Sequence, residues 1–215
     1  MHVIDITITS DFICPWCWIG LRHLNIAIEN TKTSNAVRMR YAPYELNPDY
    51  PTEGVDRREY RIRKFGSWAR SQAMDNDVML AGQQAGVEFR YDRIMRTPNT
   101  RLAHQLIYSA HKHTGDTSYT RALYKHIFSA YFNEGKDIGN AAILAELAMS
   151  NGFSLPDIKQ YLLSTDEKQE IISIELKARR TGIIAVPFFE IGGYTLSGAQ
   201  PVSVFSKILY KAAEK

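Results

Sequence analysis

Cysteine is scarce in this chain of 215 residues: there are only two, and both lie within residues 14–17. Two cysteines cannot form the disulfide framework of a small secreted protein, and in a reducing compartment a close pair is more often catalytic or metal-binding than structural. The sequence also lacks a secretory signal, because Met1 and His2 lead directly into a β-branched run without an apolar region or cleavage site. We therefore expect a cytoplasmic protein.

Long hydrophobic runs and a strong charge of either sign are absent too. No stretch approaches the ~20 apolar residues of a membrane span, and the net charge of +3 is too small to indicate nucleic-acid binding. We predict neither a membrane nor a nucleic acid as partner. One basic run could contact phosphate or an acidic substrate, although a solvated helix face is the preferred interpretation. It consists of Arg57, Arg58, Arg61, Arg63 and Lys64.

The N-terminal region predicts a strand, a helix and a second strand. Residues 3–9 are β-branched at nearly every position, which favours a central strand that leads directly into the cysteines. Pro15 suits the first turn of a helix, predicted for residues 16–30. Residues 36–42 alternate apolar and basic side chains, as a strand with one wetter face does.

The remainder of the chain predicts a helical block followed by a β-hairpin and a last helix. Residues 55–181 show helical periodicity without a convincing strand. Strand character returns at residues 183–191, Gly192 and Gly193 predict a tight turn, and residues 194–196 complete the hairpin. We predict an α/β domain of residues 1–50 and 182–215, interrupted by an all-helical insertion of residues 51–181. The last helix carries Phe205, Ile208, Leu209 and Ala212 on one face.

Cys14 and Cys17 have the spacing of a redox-active pair. On the first turn of a helix they share one face, close enough to form a disulfide. Unpaired N–H groups and the helix dipole favour a thiolate at Cys14, so we expect it to be more acidic than a free cysteine. Cys17, one turn later, should be more buried and stay protonated. The pattern predicts Cys14 as nucleophile and Cys17 as resolving cysteine, with their disulfide as the redox group and no other cofactor.

Two other uses of the pair are disfavoured by the sequence. A zinc site needs about four ligands, and there is no second cysteine pair, although histidines occur at positions 104, 111, 113 and 126. A structural disulfide closing so small a loop would constrain little of the unfolded chain. We predict no metal.

The motifs resemble the DsbA-like branch of the thioredoxin superfamily. Cys14-Pro15-Trp16-Cys17 follows a strand, and Val186-Pro187 precedes a hairpin far downstream. More narrowly, the chain resembles FrnE-type proteins over essentially its whole length. The segments that carry this resemblance are residues 11–20 (Asp-Phe-Ile-Cys-Pro-Trp-Cys-Trp-Ile-Gly), Ala103-His104, residues 184–189 (Ile-Ala-Val-Pro-Phe-Phe) and residues 197–201 (Ser-Gly-Ala-Gln-Pro). The resemblance implies a thioredoxin fold of four or five strands with a helical domain inserted after the second strand.

The resemblance also implies a substrate-binding surface around the cysteines. A cis Val186–Pro187 peptide bond should face them and leave the Val186 carbonyl and N–H free to pair with a bound peptide. Pro15 and Trp16 belong to the same surface. His104 resembles a helical-domain histidine that faces the cleft, and an ordinary core or surface histidine is its alternative. An ordinary strand-edge proline is the alternative for Pro187.

Three departures from the family pattern bear on the chemistry. Many relatives have histidine where this chain has Trp16, and an indole should stabilise the Cys14 thiolate less, so a strong oxidant is not expected. Ile8 occupies the position of a buried carboxylate in thioredoxins; Asp5 and Asp11 lie near it, and no general base is assigned. Because the chain has no further cysteines toward its C-terminus, an outside thiol or disulfide should restore the redox state of the cysteine pair after each reaction.

We therefore expect a dithiol–disulfide oxidoreductase acting on protein or low-molecular-weight thiols, with glutathione as a candidate co-substrate and a homodimer as a candidate assembly. A second hypothesis is a glutathione-dependent enzyme similar to kappa-class glutathione transferases and 2-hydroxychromene-2-carboxylate isomerases, which resemble this architecture but have serine at the first active-site position and no second cysteine. A third is a non-enzymatic binding module with an aromatic groove, in which Trp16 should be exposed and Trp18 buried. The groove would be formed by Phe12, Trp16, Trp18 and Phe188.

Overall fold

The computed structural model describes residues 3–33 and 37–214 as alternating strands and helices. A 3₁₀ turn also occurs at Tyr91–Arg93. In chain order the elements are β1 (Ile4–Ser10), α1 (Pro15–Asn30), β2 (Val37–Pro43), β3 (Val55–Asp56), α2 (Arg57–Phe65), α3 (Trp68–Ala85), β4 (Arg96–Thr97), α4 (Arg101–Thr114), α5 (Ser118–Phe132), α6 (Ala141–Ser150), α7 (Leu155–Leu163), α8 (Thr165–Arg180), β5 (Phe188–Ile191), β6 (Tyr194–Ser197) and α9 (Val202–Ala213).

The central sheet has the strand order β2-β1-β5-β6. β1 pairs in parallel with β2 and antiparallel with β5, and β5 and β6 form the C-terminal hairpin. Ile4, Ile6 and Ile8 on β1 are fully buried, which explains the β-branched composition of this strand. α9 contacts β1, β5 and α1. The predicted α/β architecture is confirmed. β1 leads directly into the segment that carries the two cysteines.

Helices α2 to α8 lie between β2 and β5, and aromatic side chains join them to the active-site segment. Trp18 is buried, as predicted, and its ring stacks on Phe132 at a centroid distance of 5.7 Å. Phe12 contacts Phe128 and Tyr124 at 5.0 and 5.2 Å. One hydrophobic core therefore runs through both parts of the chain, and the domain boundaries after residues 50 and 181 stay a prediction.

Two sequence-based expectations about strands are wrong in detail. The helical region contains the antiparallel pair β3 and β4, each of two residues, which is too short to leave a period in the sequence. The strand expected over residues 183–191 begins only at Phe188, because the residues before it form a loop in which Ile184 and Ala185 are exposed. The strand expected at residues 36–42 is present from Val37 onward, and residue 36 lies outside the described residues.

Candidate active site

Cys14 occupies the N-cap position of α1. Its backbone is extended (φ −91°, ψ 111°), and Pro15 follows at the start of the helix. Its N–H donates to the carbonyl of Asp11 at 3.1 Å, and its own carbonyl accepts from the N–H of Cys17 at 3.0 Å. The Cys14 side chain therefore lies at the positive end of the helix dipole, where negative charge is stabilised.

Cys17 lies behind Cys14 in the hydrophobic core. It is 1% exposed, against 7% for Cys14, and both are free cysteines. Burial raises the pKa of the Cys17 thiol well above its ordinary value, and the hydrogen bond and charge of Cys14 raise it further. Cys17 therefore remains a thiol. Cys14, by contrast, lines a cavity that is described below.

The loop before β5 lies against the cysteine turn. The Val186–Pro187 peptide bond is cis, and the Cys14 thiol donates to the Val186 carbonyl with an S···O distance of 3.7 Å. A Cβ atom at position 20 would lie 3.2 Å from Pro187 and 3.1 Å from Phe189, so a glycine in α1 allows the helix to approach this loop closely. The structure thus brings Cys14, Val186 and Pro187 together.

A cavity of about 330 Å³ opens beside Cys14. Cys14, Pro15 and Trp16 line one side of it, and α2 and α3 line the other. Trp16 is 43% exposed, in agreement with the expectation for this side chain. The cavity is large enough for a small-molecule substrate, since such pockets start at about 300 Å³.

The basic run predicted as a solvated helix face contributes to the wall of this cavity. Arg57, Arg61 and Lys64 line it, whereas Arg58 and Arg63 are exposed as expected. The expectation is wrong for Arg57 and Arg61, which are buried or half-buried. The helical period alone could not show that one face of α2 turns toward Cys14.

The charges on this wall do not cancel. Asp75 pairs with Arg57 and with Arg61, each at an N–O distance of 2.6 Å. Lys64 donates to the Tyr60 hydroxyl at 2.7 Å, and no carboxylate of the described chain lies within 4.0 Å of its ammonium group. With Asp77 also lining the cavity, three cations face two carboxylates and the wall carries a net positive charge.

His104 lies in the core behind the cysteines, and it does not line the cavity. It is 5% exposed, and its ring packs on Phe12 at a centroid distance of 4.9 Å. Its Nε2 atom lies 3.5 Å from Asp11 Oδ1. Of the two expectations for His104, the structure gives the core position, with a buried aspartate as neighbour.

A second buried group of charges lies next to this pair. Arg101 donates to a carboxylate oxygen of Glu45 at 2.8 Å, and Glu175 accepts from the Glu45 N–H at 3.0 Å. Burial, with a further contribution from the charge of Glu175, raises the pKa of Glu45 to about 7. Sequence reasoning missed these residues because an isolated charge gives no periodic signal. Only the position of Asp11 next to the motif pointed to this region.

Residues 3–33 and 37–214 contain neither a cluster of metal ligands nor a long apolar helix. No three histidine, cysteine, aspartate or glutamate side chains meet there in an arrangement that could hold a metal ion. None of the helices described is both long enough and apolar enough to cross a membrane.

Three features define the class of this protein: the strand order of the sheet, the cysteine pair at the start of α1 opposite a cis-proline loop, and the helical insertion before β5. Together they are those of a thioredoxin-like protein of the DsbA class. The family model for the DSBA-like thioredoxin domain matches residues 5–210, and the chain belongs to this family. Membership of this family indicates that the chain carries out enzymatic thiol–disulfide chemistry.

The chain is also similar to individual proteins along almost its whole length. The chain is 27% identical over 214 residues to the protein YwbO of Bacillus subtilis, covering 99% of this chain and 98% of YwbO. Its fold is similar to that of the probable DsbA oxidoreductase SCO1869 from Streptomyces coelicolor, with a TM-score of 0.86, 24% identity and coverage of 99% and 91% of the two chains.

Two further solved structures share the fold at lower identity. The cytosolic disulfide reductase DsbM from Pseudomonas aeruginosa, in a structure with glutathione, gives a TM-score of 0.69 at 17% identity, covering 98% of this chain and all of DsbM. A 2-hydroxychromene-2-carboxylate isomerase gives 0.71 at 14% identity, covering 98% and 96%. All three structural likenesses, to SCO1869, DsbM and the isomerase, show the fold alone.

Proposed function

We propose that this protein is a dithiol–disulfide oxidoreductase in which Cys14 is the nucleophile and Cys17 the resolving cysteine. The asymmetry of the pair carries the proposal: Cys14 borders the cavity at the N-terminus of α1, whereas Cys17 is buried behind it as a thiol. An exchange reaction needs this division, because the first sulfur must reach a substrate and the second must wait.

The reaction takes place in two displacements. The Cys14 thiolate attacks one sulfur of a substrate disulfide, forming the Cys14–substrate bond and releasing the other substrate sulfur as a thiolate. Cys17 then gives up its proton, through water, to the released substrate thiolate and attacks Cys14 Sγ, which closes the Cys14–Cys17 disulfide and releases the second substrate thiolate. The enzyme is oxidised by two electrons and the substrate is reduced by two. In reverse, the same steps oxidise a substrate dithiol.

The cavity supports a small anionic thiol as one substrate class. Its volume suits a tripeptide-sized molecule, and Lys64 offers an ammonium group with no carboxylate partner in the described chain. The similar DsbM structure contains glutathione, so glutathione and its disulfide are the substrates to test first. For protein substrates, we propose that an extended peptide pairs with the Val186 main chain beside Pro187 and contacts the half-buried Pro15 and the exposed Trp16.

A charge-removing change on the cavity wall tests this substrate class. We expect Lys64→Gln to raise the KM for glutathione disulfide about fivefold, the effect of losing roughly 1 kcal/mol from a partly exposed ion pair. The KM for the neutral bis(2-hydroxyethyl) disulfide should stay unchanged. Arg63→Gln is the matched control, since Arg63 lies on the same helix but outside the cavity. Equal effects of both variants, or on both disulfides, would contradict an anionic substrate.

A glutathione-dependent isomerase is the second candidate function, favoured by the fold likeness to 2-hydroxychromene-2-carboxylate isomerase and by the positively charged cavity. Such a reaction does not need Cys17. Isomerisation of 2-hydroxychromene-2-carboxylate that requires glutathione and survives Cys17→Ala would support it. Absence of turnover in both this assay and an insulin-reduction assay would leave the binding-module hypothesis.

We also propose a cytoplasmic location. The two cysteines form a single motif and no disulfide framework, and the similar DsbM is a cytosolic disulfide reductase. In a reducing compartment, an outside thiol pool would return the Cys14–Cys17 disulfide to the dithiol.

A further inference from the structure

The cavity beside Cys14 is lined by charged side chains of two kinds, and those of the first kind are paired with each other. Asp75 accepts from Arg57 at Oδ2 and from Arg61 at Oδ1, each at 2.6 Å. Arg61 donates further to the hydroxyl and the carbonyl of Ser71, at 2.7 and 3.1 Å. Arg57 and Asp75 are each only 6% exposed. Both oxygens of the Asp75 carboxylate are therefore occupied by arginines and are not available to a ligand.

Asp77 is the second carboxylate of the cavity wall, and it differs from Asp75. It lines the cavity and is exposed. Among the residues that the structure describes, no lysine, arginine or histidine nitrogen lies within 4.0 Å of its carboxylate. Met74 and Val78 also line the cavity, and positions 74, 77 and 78 share one face of a helix. The fold of α3 therefore places the Asp77 carboxylate at this cavity without a cation of the described chain beside it.

Lys64 is the corresponding cation of the same wall. As described above, its ammonium group donates to the Tyr60 hydroxyl and has no carboxylate partner in the described chain. Lys64 and Asp77 can therefore meet charges on a ligand. Apolar side chains, among them Ile13 and Val78, line the cavity with them. Because apolar surroundings weaken the screening by water, the wall should attract opposite charges and repel like charges more strongly than an open surface does.

We propose that the small-molecule substrate of this site is a thiol that carries an ammonium group as well as a carboxylate, and that Asp77 selects it by pairing with the ammonium group. The inference rests on the proposed function and narrows its substrate class. Among small anionic thiols, those built from an amino acid with a free amino group fit the wall. A thiol that carries carboxylates alone would leave Asp77 without a partner or bring a like charge to it. Asp77 is therefore a specificity-determining residue.

The ammonium group can be removed from a substrate without changing its carboxylates. The reduced full chain is mixed at neutral pH with glutathione disulfide or with N,N′-diacetylglutathione disulfide, in which both amino groups are acetylated. The reaction is quenched with acid, free thiols are alkylated, and mass spectrometry gives the fraction of protein with a Cys14–Cys17 disulfide. The second-order rate constants for the two disulfides give a selectivity ratio. The same ratio measured with 2-mercaptoethanol in place of the protein corrects for their intrinsic reactivity.

Two substitutions of Asp77 test the pairing. Asp77→Asn should lower the rate constant for glutathione disulfide about fivefold, as expected for the loss of one partly exposed ion pair, and should not lower that for the acetylated disulfide. The selectivity ratio should then equal the one measured with 2-mercaptoethanol. Asp77→Lys should move the ratio below that value, because the new cation repels the ammonium group. Asp77 is exposed, so both variants should keep the melting temperature of the wild type.

Asp49→Asn is the matched control, because it removes the same charge from an exposed aspartate that lies outside the cavity. This variant should keep the selectivity ratio of the wild type. The uncharged bis(2-hydroxyethyl) disulfide controls for the reactivity of Cys14 itself. Its rate constant should be the same in the wild type and in Asp77→Asn, since neither an ammonium group nor a carboxylate takes part.

The outcomes separate the inference from the proposed function. A wild type that forms no Cys14–Cys17 disulfide with any of the three disulfides contradicts the oxidoreductase, and the inference falls with it. A wild type that is oxidised by all three but shows only the selectivity of 2-mercaptoethanol overturns the inference alone. The same holds if Asp77→Asn keeps the wild-type ratio, or if Asp49→Asn lowers the ratio as much as Asp77→Asn does.

Discussion

Replacing Cys14 by serine should abolish thiol–disulfide exchange. Serine is nearly isosteric, so the N-cap and the approach of the loop before β5 are preserved, but its hydroxyl does not ionise near neutral pH and cannot form a mixed disulfide. We expect the rate of insulin reduction or glutathione-disulfide turnover to fall by a factor on the order of 10³ or more, as it does when a covalent nucleophile is lost.

The control for this variant is the circular dichroism spectrum and melting temperature, which should match those of the wild type. Full exchange activity in a folded Cys14→Ser protein would refute the proposed nucleophile. Retained isomerase activity with lost exchange activity would instead favour the glutathione-dependent alternative, because serine at this position does not stop that reaction in the proteins that the chain resembles.

Replacing Cys17 by alanine should trap the mixed disulfide. Cys14 can still attack, because it lies at the cavity, but nothing in the chain can then resolve the bond. Mass spectrometry under non-reducing conditions should show an adduct at Cys14 approaching one substrate per chain, and steady-state turnover should fall to the rate at which an outside thiol resolves it. Alanine is preferred to serine because a hydroxyl in the Cys17 site would be buried.

The matched control is the double variant Cys14→Ser and Cys17→Ala, which should form no adduct under the same conditions. Adducts on the double variant, or rapid release of substrate from Cys17→Ala without added thiol, would show that resolution does not depend on Cys17. The trapped partner also identifies the physiological substrate, since the adduct carries its mass.

The parts of the fold that were predictable are those that local sequence determines. The β-branched residues predicted β1, and Pro15 predicted the first turn of α1. These two elements place the cysteine pair at the N-terminus of the helix. The Gly192–Gly193 turn likewise set the register of the last hairpin. Each of these signals lies within a few residues, so tertiary packing did not have to be known.

The parts that were missed depend on contacts between distant segments. The basic face of α2 looked like any solvated helix until α2 and α3 were seen to cover Cys14. Asp11 and His104 meet only because α4 packs behind the active-site turn, and the two-residue strands β3 and β4 leave no period to detect. A buried charge is recognised by what surrounds it, and a single sequence does not show its surroundings.

The redox equilibrium of the cysteine pair tests the central claim most directly. The full chain is equilibrated with reduced and oxidised glutathione over potentials from about −150 to −320 mV, free thiols are alkylated, and intact protein and peptides are measured by mass spectrometry. We predict a single two-electron transition from two alkylated cysteines to a Cys14–Cys17 disulfide. Two thiols that stay free across the range, or glutathione adducts that never convert into the Cys14–Cys17 disulfide, would contradict the account.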